Sequence, residues 1–495
     1  MGIYKKVVEN RYRGPILLGL ILAVALVLRF IFFTGIGISD SLFYTQFAHN
    51  LQDGRLPLEG GHSALRLGLS IPVSILYSAF GVNEFSSNVI PLLISLASIV
   101  LMYKFGKLLF NEKTGLIGAF LLSFFPLDVV YATRLMTDLP AAFFVALSAY
   151  FFVKAEKKEG EKSTVQRYLL AGVLIGIAYL MKELSLLIGL FFVVYIIYRK
   201  HIKSGYFVMA AAFLAVIAAE LLFFLTTTGN PFFRYMAVNQ GWGDTVIGTN
   251  MSGRGSIPFS WLHYPYIIMT DHLLGLYYPF IFLAVAYCII GRKKEAYIPT
   301  AWFFSILIYL NFGSASVTRY VLIPAAARLL TIITIPGLLI LAFFLAQEDP
   351  LIRKVVMPTV LALLLVTSVG YVYLSEARHD LDNEREAYQY LDSLPKKPTY
   401  TDERSTMAFN YLSGYTDSRR IKSFNRYESV HLEEASVMDL SGVEDAYVVV
   451  NRRIIDFFLE SKREVKFPAQ IQTIPGEWKV QKMLGDGAIT IYYIP

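Results

Sequence analysis

Apolar runs near the ~20 residues that cross a bilayer core recur through most of this 495-residue chain. They constrain the fold more than any other feature. In lipid every backbone N–H and C=O must be satisfied internally, which helices or closed barrels achieve, and runs of this length read as helices. Mean hydropathy is +0.50 and 55% of residues are hydrophobic, far from a soluble average. About eleven spans are expected. They are Pro15–Phe33, Ser87–Tyr103, Thr114–Thr133, Leu139–Val153, Tyr168–Met181, Leu184–Tyr198, Gly205–Leu225, His272–Ile290, Tyr297–Asn311, Leu322–Ala346 and Val355–Leu374. Leu65–Phe80 reads either as a membrane helix or as an interfacial one. The first span follows Lys5, Lys6, Arg11 and Arg13, lacks a small-residue cleavage site and exceeds a signal-peptide core. It is expected to be a retained anchor.

Basic clusters mark every second connection: Lys104/Lys107/Lys113, Lys154/Lys157/Lys158/Lys162, Arg199/Lys200/Lys203, Arg292/Lys293/Lys294 and Arg353/Lys354. By the positive-inside rule these turns and the N-terminus are cytoplasmic, and the C-terminus is outside. The net charge of +7 hides an asymmetry: residues 376–495 carry 16 Lys/Arg against 20 Asp/Glu, the rest 29 against 18. The basic excess is therefore largely a topology signal rather than a nucleic-acid footprint. A single cysteine, Cys288, excludes an internal disulfide framework and any multi-cysteine metal site.

Two domains are expected: a helical polytopic membrane domain over 1–375, and an extracytoplasmic soluble α/β domain over 376–495. In the tail, Arg385–Leu394 reads as a helix, and Ala446–Val450 and Ala488–Ile494 as strands. The first outer loop, about 34–86, is long. Within it Phe43, Phe47 and Leu51 recur every fourth residue over Ser39–Leu51, the pattern of an amphipathic helix on a membrane surface.

Ionisable residues gather in the outer connections. The first loop holds Asp40, Glu59, His62 and Arg66; the second holds Arg134 and Asp138; the third holds Lys182 and Glu183. Glu220 lies near the outer end of the seventh span, and Arg319, Tyr320 and Arg328 follow the ninth. Carboxylates and cations at one membrane mouth suit a lipid phosphate and a hydroxyl acceptor. Structural readings stand beside the functional ones: Ser39 or Asp40 as a helix cap, Asp138 before Leu139-Pro140 as another, and Arg134, Lys182 and Arg319 as snorkelling anchors. Glu220 and Arg328 fall inside apolar runs, where ionisable groups are costly and commonly functional or paired. For His62 the loop reading is the simpler one.

Over about residues 15–350 the chain resembles the GT-C membrane glycosyltransferases that use polyisoprenyl-phosphate sugars, in the protein O-mannosyltransferase and aminoarabinose-transferase branch. The elements are Asp40 with Tyr44 and Ala48; Arg66; Tyr103-x-x-Gly106-Lys107-x-x-Phe110; and Gly115-x-x-Gly118-Ala119 with Pro126. Arg134-x-x-x-Asp138-x-Pro140, Gly176-x-x-Tyr179-Leu180-x-Lys182 and Arg319-Tyr320-x-x-x-Pro324 complete them. The resemblance implies inverting transfer from a dolichyl- or undecaprenyl-phosphate sugar to a hydroxyl of a protein, lipid or glycan acceptor.

Asp40 is the expected general base, ionised at neutral pH with an ordinary pKa of about 3.9. Asp138 is the second catalytic candidate, and Tyr44, His62, Arg66, Arg134, Lys182, Glu220, Arg319, Tyr320 and Arg328 are the substrate-binding candidates. The family commonly has two adjacent acids in the first loop, whereas here Asp40 lies between Ser39 and Ser41. A divalent metal (Mg2+ or Mn2+) on Asp40 and Asp138 therefore stays open. Three other functions also stay open. One is an oligosaccharyltransferase or ligase using lipid pyrophosphate, one a transporter or flippase, and one a catalytically silent relative. A transporter would place its site near the midplane on broken helices of repeated halves; no such repeat is visible.

Overall fold

The computed structural model describes residues 2–55, 65–158, 160–161, 163–242, 259–315, 320–375, 381–426, 436–460 and 465–495. Its helices, in chain order, are α1 (Gly2–Ile31), α2 (Asp40–Gln52), α3 (Leu67–Phe80), α4 (Glu84–Leu109), α5 (Glu112–Phe124), α6 (Pro126–Tyr131) and α7 (Asp138–Lys157). They continue as α8 (Thr164–Met181), α9 (Ile188–Arg199), α10 (Ser204–Thr228), α11 (Phe233–Trp242), α12 (His263–Thr270), α13 (Tyr277–Ile290), α14 (Tyr297–Phe312), α15 (Thr331–Leu345) and α16 (Met357–Leu374). Every expected span falls on one or more of these helices. Among the described residues seven stretches are long and apolar enough to cross a membrane: Arg13–Ile31, Glu84–Leu109, Asp138–Lys157, Thr164–Met181, Ser204–Thr228, Ala327–Leu345 and Ile352–Leu374. The chain is a multi-pass helical membrane protein.

The chain divides into two compact units. The first is Met1–Phe33, Pro91–Phe233 and Trp242–Arg378; the second is Thr34–Ile90, Arg234–Gly241 and His379–Pro495. The long first loop thus groups with the tail, not with the spans that flank it.

In the first unit α15 is buried on nearly every side, as its uniformly apolar sequence requires, and packs against α5, α7, α13 and α14. Between α4 and α5 the chains approach through glycine: a Cβ on Gly115 would lie 2.4 Å from the Tyr103 carbonyl. Likewise a Cβ on Gly172 of α8 would meet the Met209 carbonyl of α10 at 2.1 Å. Small residues permit such close helix approach where no hydrophobic effect drives it. The expected single span Thr114–Thr133 is broken. Phe125 is extended (φ −64°, ψ 118°) and Pro126 restarts the chain as α6. Proline lacks the N–H that would continue α5 and pushes its predecessor out of the helical region.

The second unit has the tail's α/β fold. Its strands are β1 (Thr399–Thr401), β2 (Ile421–Ser423), β3 (Asn425–Arg426), β4 (Ser436–Val437), β5 (Ala446–Asn451), β6 (Lys479–Leu484) and β7 (Ile489–Ile494). Its helices are α17 (Asp382–Ser393), α18 (Glu403–Leu412), α19 (Arg452–Glu460) and α20 (Ala469–Gln472). The main sheet runs β2-β1-β5-β7-β6, with β1 parallel to β2 and β5, and β7 antiparallel to β5 and β6. β5 is buried along its whole length, as its Val-Val-Val run requires. The helix and both strands read from the tail sequence are present. The amphipathic α2 departs from expectation, because its apolar side is covered by protein: Leu42, Tyr44, Phe47 and Ala48 are buried where α2 packs on α3 and α18.

Candidate active site

In the second unit the candidate site is built on α2 and the start of α3. Asp40 is the first residue of α2. Ser39, the N-cap, makes no side-chain capping bond, so Ser39 is not held there as a cap. A carboxylate in the first turn is favoured by the helix dipole. Asp40 and Tyr44, four residues apart, share one face of the helix. Tyr44 is fully buried, and Arg66 donates from Nη1 to its hydroxyl oxygen. The Arg66 guanidinium also stands 5.9 Å from the Tyr44 ring centroid. A rigid aromatic thereby fixes a buried cation. One turn further on, Thr45 bonds the Tyr415 hydroxyl at 2.9 Å, and the His49 ring stacks on Tyr415 with centroids 4.2 Å apart. His62 and Glu59 lie outside the described residues.

The first unit carries the other candidates. Asp138 opens α7 and is buried, and its Oδ1 accepts a hydrogen bond from Lys182 Nζ. Lys182 is the C-cap of α8, with an extended backbone that turns it out of the helix. Each charge sits at the helix end whose dipole favours it. Asp138 Oδ2 has no hydrogen-bond partner among the described residues. Thr331 lies beside the pair, its hydroxyl 3.5 Å from the Asp138 carbonyl oxygen and 2.8 Å from that of Arg328. Arg134 is half-buried in the turn before α7, and Arg328 is half-buried just ahead of α15. Glu220 is buried in α10. Tyr320 is exposed and donates from its hydroxyl to the Phe312 carbonyl at 2.8 Å. Arg319 lies outside the described residues.

A third cluster is absent from the sequence reading. Arg29, fully buried in α1, donates to Asp128 Oδ1 of α6 at 2.5 Å and to Ser95 Oγ of α4 at 2.7 Å. It also donates to the Ala25 and Ser123 carbonyls at 3.0 and 3.2 Å. Ser95 Oγ in turn donates to Asp128 Oδ1 at 2.5 Å. Asp128 borders a cavity of ≈ 20 Å³ with Leu139, Phe143, Thr331 and Thr334, room for about one water molecule. The signal was available: Arg29 and Asp128 are ionisable residues inside apolar runs, the same cue that singled out Glu220 and Arg328.

Among the described residues no three His, Cys, Asp or Glu side chains come together as metal ligands. Asp40 and Asp138 belong to different units. At Asp138 the Lys182 ammonium already occupies one carboxylate oxygen, so a divalent ion would face a like charge there. The residues at Asp138 do not fit a resident Mg2+ or Mn2+.

Residues 72–224 match the family described as dolichyl-phosphate-mannose-protein mannosyltransferase. That segment runs from α3 through most of α10 and contains the Asp138–Lys182 pair. No curated protein matches the chain significantly in sequence. Among solved structures, ArnT from Cupriavidus metallidurans in the apo state is 14% identical with a TM-score of 0.64, over 96% of this chain and 97% of that one. The same protein bound to undecaprenyl phosphate gives 13% and 0.66 over the same shares. The Archaeoglobus fulgidus oligosaccharyltransferase AglB, in complex with an inhibitory peptide and a dolichol-phosphate, gives 10% and 0.55, over 82% of this chain and 64% of that one. Over residues 72–224 the chain is thus similar to that family, and nearly end to end its fold is like that of ArnT.

Proposed function

We propose that this enzyme transfers one sugar from a polyisoprenyl phosphate to a hydroxyl acceptor on the extracytoplasmic face, with inversion at the anomeric carbon. The observation that carries the reading is the family-matched segment holding a buried Asp138–Lys182 pair whose second carboxylate oxygen has no hydrogen-bond partner among the described residues. A lipid-phosphate donor is supported by ArnT, which has been seen bound to undecaprenyl phosphate. Transfer of a single sugar, rather than of a whole glycan from pyrophosphate, is supported by the description of the family that residues 72–224 match, dolichyl-phosphate-mannose-protein mannosyltransferase.

The chemistry assigns roles to the residue types. As the acceptor oxygen bonds to the anomeric carbon, its proton passes to Asp40 and the bond from that carbon to phosphate oxygen breaks. One base suffices for inversion. The departing lipid phosphate gains one negative charge, which pre-placed cations stabilise better in a dry site than water does. Arg66, held by Tyr44, is suited to that task, as are Arg134, Arg319 and Arg328. Lys182 orders Asp138, which receives acceptor or sugar hydroxyls on Oδ2, while His62, Glu220 and Tyr320 contact the substrate. The N-terminus is cytoplasmic and the tail extracytoplasmic in this reading. No step is routed through a metal.

The test is sugar transfer by purified full-length protein from polyisoprenyl monophosphate donors of several sugars. Asp40→Asn is expected to lower the rate by about 10²–10⁴-fold without altering membrane insertion. Undiminished transfer by that variant would remove Asp40 as the base. Activity with pyrophosphate-linked glycans alone would favour the oligosaccharyltransferase reading.

A further inference from the structure

In the tail, β1 and β5 lie side by side and parallel. From β1 the chain crosses through α18 to β2 on one side, while β5 flanks β1 on the other. Open α/β sheets leave a crevice at such a reversal, outside the carboxyl ends of the strands. Here that place is filled by polar side chains. Asp402 directly follows β1, Asn451 ends β5, Ser405 lies in the first turn of α18 and Glu384 in the first turn of α17. All four are buried, none more than 1% exposed.

They form one connected group. Asn451 Nδ2 donates to Glu384 Oε1 at 2.8 Å and lies 3.2 Å from Ser405 Oγ. The Ser405 backbone N–H donates to Asp402 Oδ1 at 2.9 Å. Three oxygens remain: Glu384 Oε2, Asp402 Oδ2 and Asn451 Oδ1 are buried without a hydrogen-bond partner among the described residues. All three are acceptors, so none can satisfy another. Neither carboxylate forms an ion pair among the described residues, and Arg453 attracts Glu384 only at a distance. Asp402 caps α18, where the Ser405 and Arg404 backbone N–H groups and the Ser405 hydroxyl bond its carboxylate. Two carboxylates buried side by side without an ion pair are still expensive unless a proton or a cation joins them.

We propose that Glu384, Asp402, Asn451 and Ser405 form a site for a hard divalent cation, Ca2+ or Mg2+ in class. An all-oxygen donor set with two carboxylates is what such ions select. A half-turn of the Asn451 amide exchanges its nitrogen for oxygen at almost no steric cost. The nitrogen faces Glu384 without the ion, and the oxygen faces the ion when it is bound. The bound ion joins the start of α17 to the ends of β1 and β5. The site thus stabilises the soluble domain and is independent of the sugar-transfer chemistry.

The experiment uses full-length protein in detergent, stripped with EDTA and dialysed. Its thermal midpoint is followed as CaCl2, MgCl2 or matched-ionic-strength NaCl is added, and bound metal is counted after desalting. One divalent salt is expected to raise the midpoint saturably by roughly 5 °C, with NaCl ineffective. Glu384→Gln, isosteric and neutral, is expected to melt higher than wild type without metal and to lose the increment. Asn451→Asp is expected to melt lower without metal and to show a larger increment. No increment with either ion in wild type, or an equal increment in all three proteins, overturns the proposal.

Discussion

Lys182, at the carboxyl end of α8, bonds the buried carboxylate of Asp138 at the amino end of α7. Removing one partner strands the other charge, which costs about 3–5 kcal/mol for buried pairs, whereas replacing both is much milder. Lys182→Met is therefore expected to lower the melting temperature more than Lys182→Met combined with Asp138→Asn. A double-mutant cycle on detergent-solubilised protein measures the difference, and additive effects would mean the two charges are not coupled.

Tyr44 holds the Arg66 guanidinium by its hydroxyl. A hydrogen bond to a charged group contributes about 1.5–3 kcal/mol. With Tyr44→Phe, Arg66 keeps its charge but loses its orientation. If Arg66 stabilises the leaving phosphate, kcat and kcat/KM fall together by about tenfold or more. A rise in donor KM at constant kcat would assign Arg66 to ground-state binding instead.

The Arg29–Asp128–Ser95 cluster gives a graded expectation. Arg29→Met leaves Asp128 buried without its cation and should cost about 3–5 kcal/mol. Ser95→Ala removes one neutral partner and should cost about 1 kcal/mol. Melting temperatures of the two variants test the order; equal losses would point to packing rather than charge.

In the tail, partial burial pulls the Asp417 carboxyl up, but the Arg420 guanidinium at 2.5 Å outweighs it, and the net position is below the usual value. The stabilisation from this pair is fully present above the unfolded carboxylate value of about 3.9 and is lost as pH falls through the lower folded one. Arg420→Gln should thus cost about 0.5–1 kcal/mol at pH 7. The gap to wild type should close below about pH 4. A gap that persists unchanged to pH 2 would exclude the ion pair as its source.

Residue type and position were legible along the chain; partners were not. Asp138 and Lys182 stand out in the sequence as charges in short connections between apolar runs. Nothing local says that they bond each other across 44 positions. The amphipathic stripe of α2 announces a helix but not what covers it, since protein and lipid both accept an apolar face. Arg29 and Asp128 are hard to single out in the sequence because each lies within a long apolar run.

The sequence by itself determined the helical membrane architecture, the α/β tail and the identity of the charged residues. Apolar run length and residue period are local properties, and bilayer thickness and backbone hydrogen bonding translate them directly. Tertiary structure alone decided the break at Pro126, the Tyr44–Arg66 and Arg29–Asp128 pairs, and the gathering of Glu384, Asp402 and Asn451 at the ends of β1 and β5. These depend on residues far apart in the chain coming together, and only packing decides which buried charges become neighbours. Asp40 illustrates the division. Its sequence context places it at a helix start one turn before Tyr44, and the fold covers the apolar side of that helix with protein.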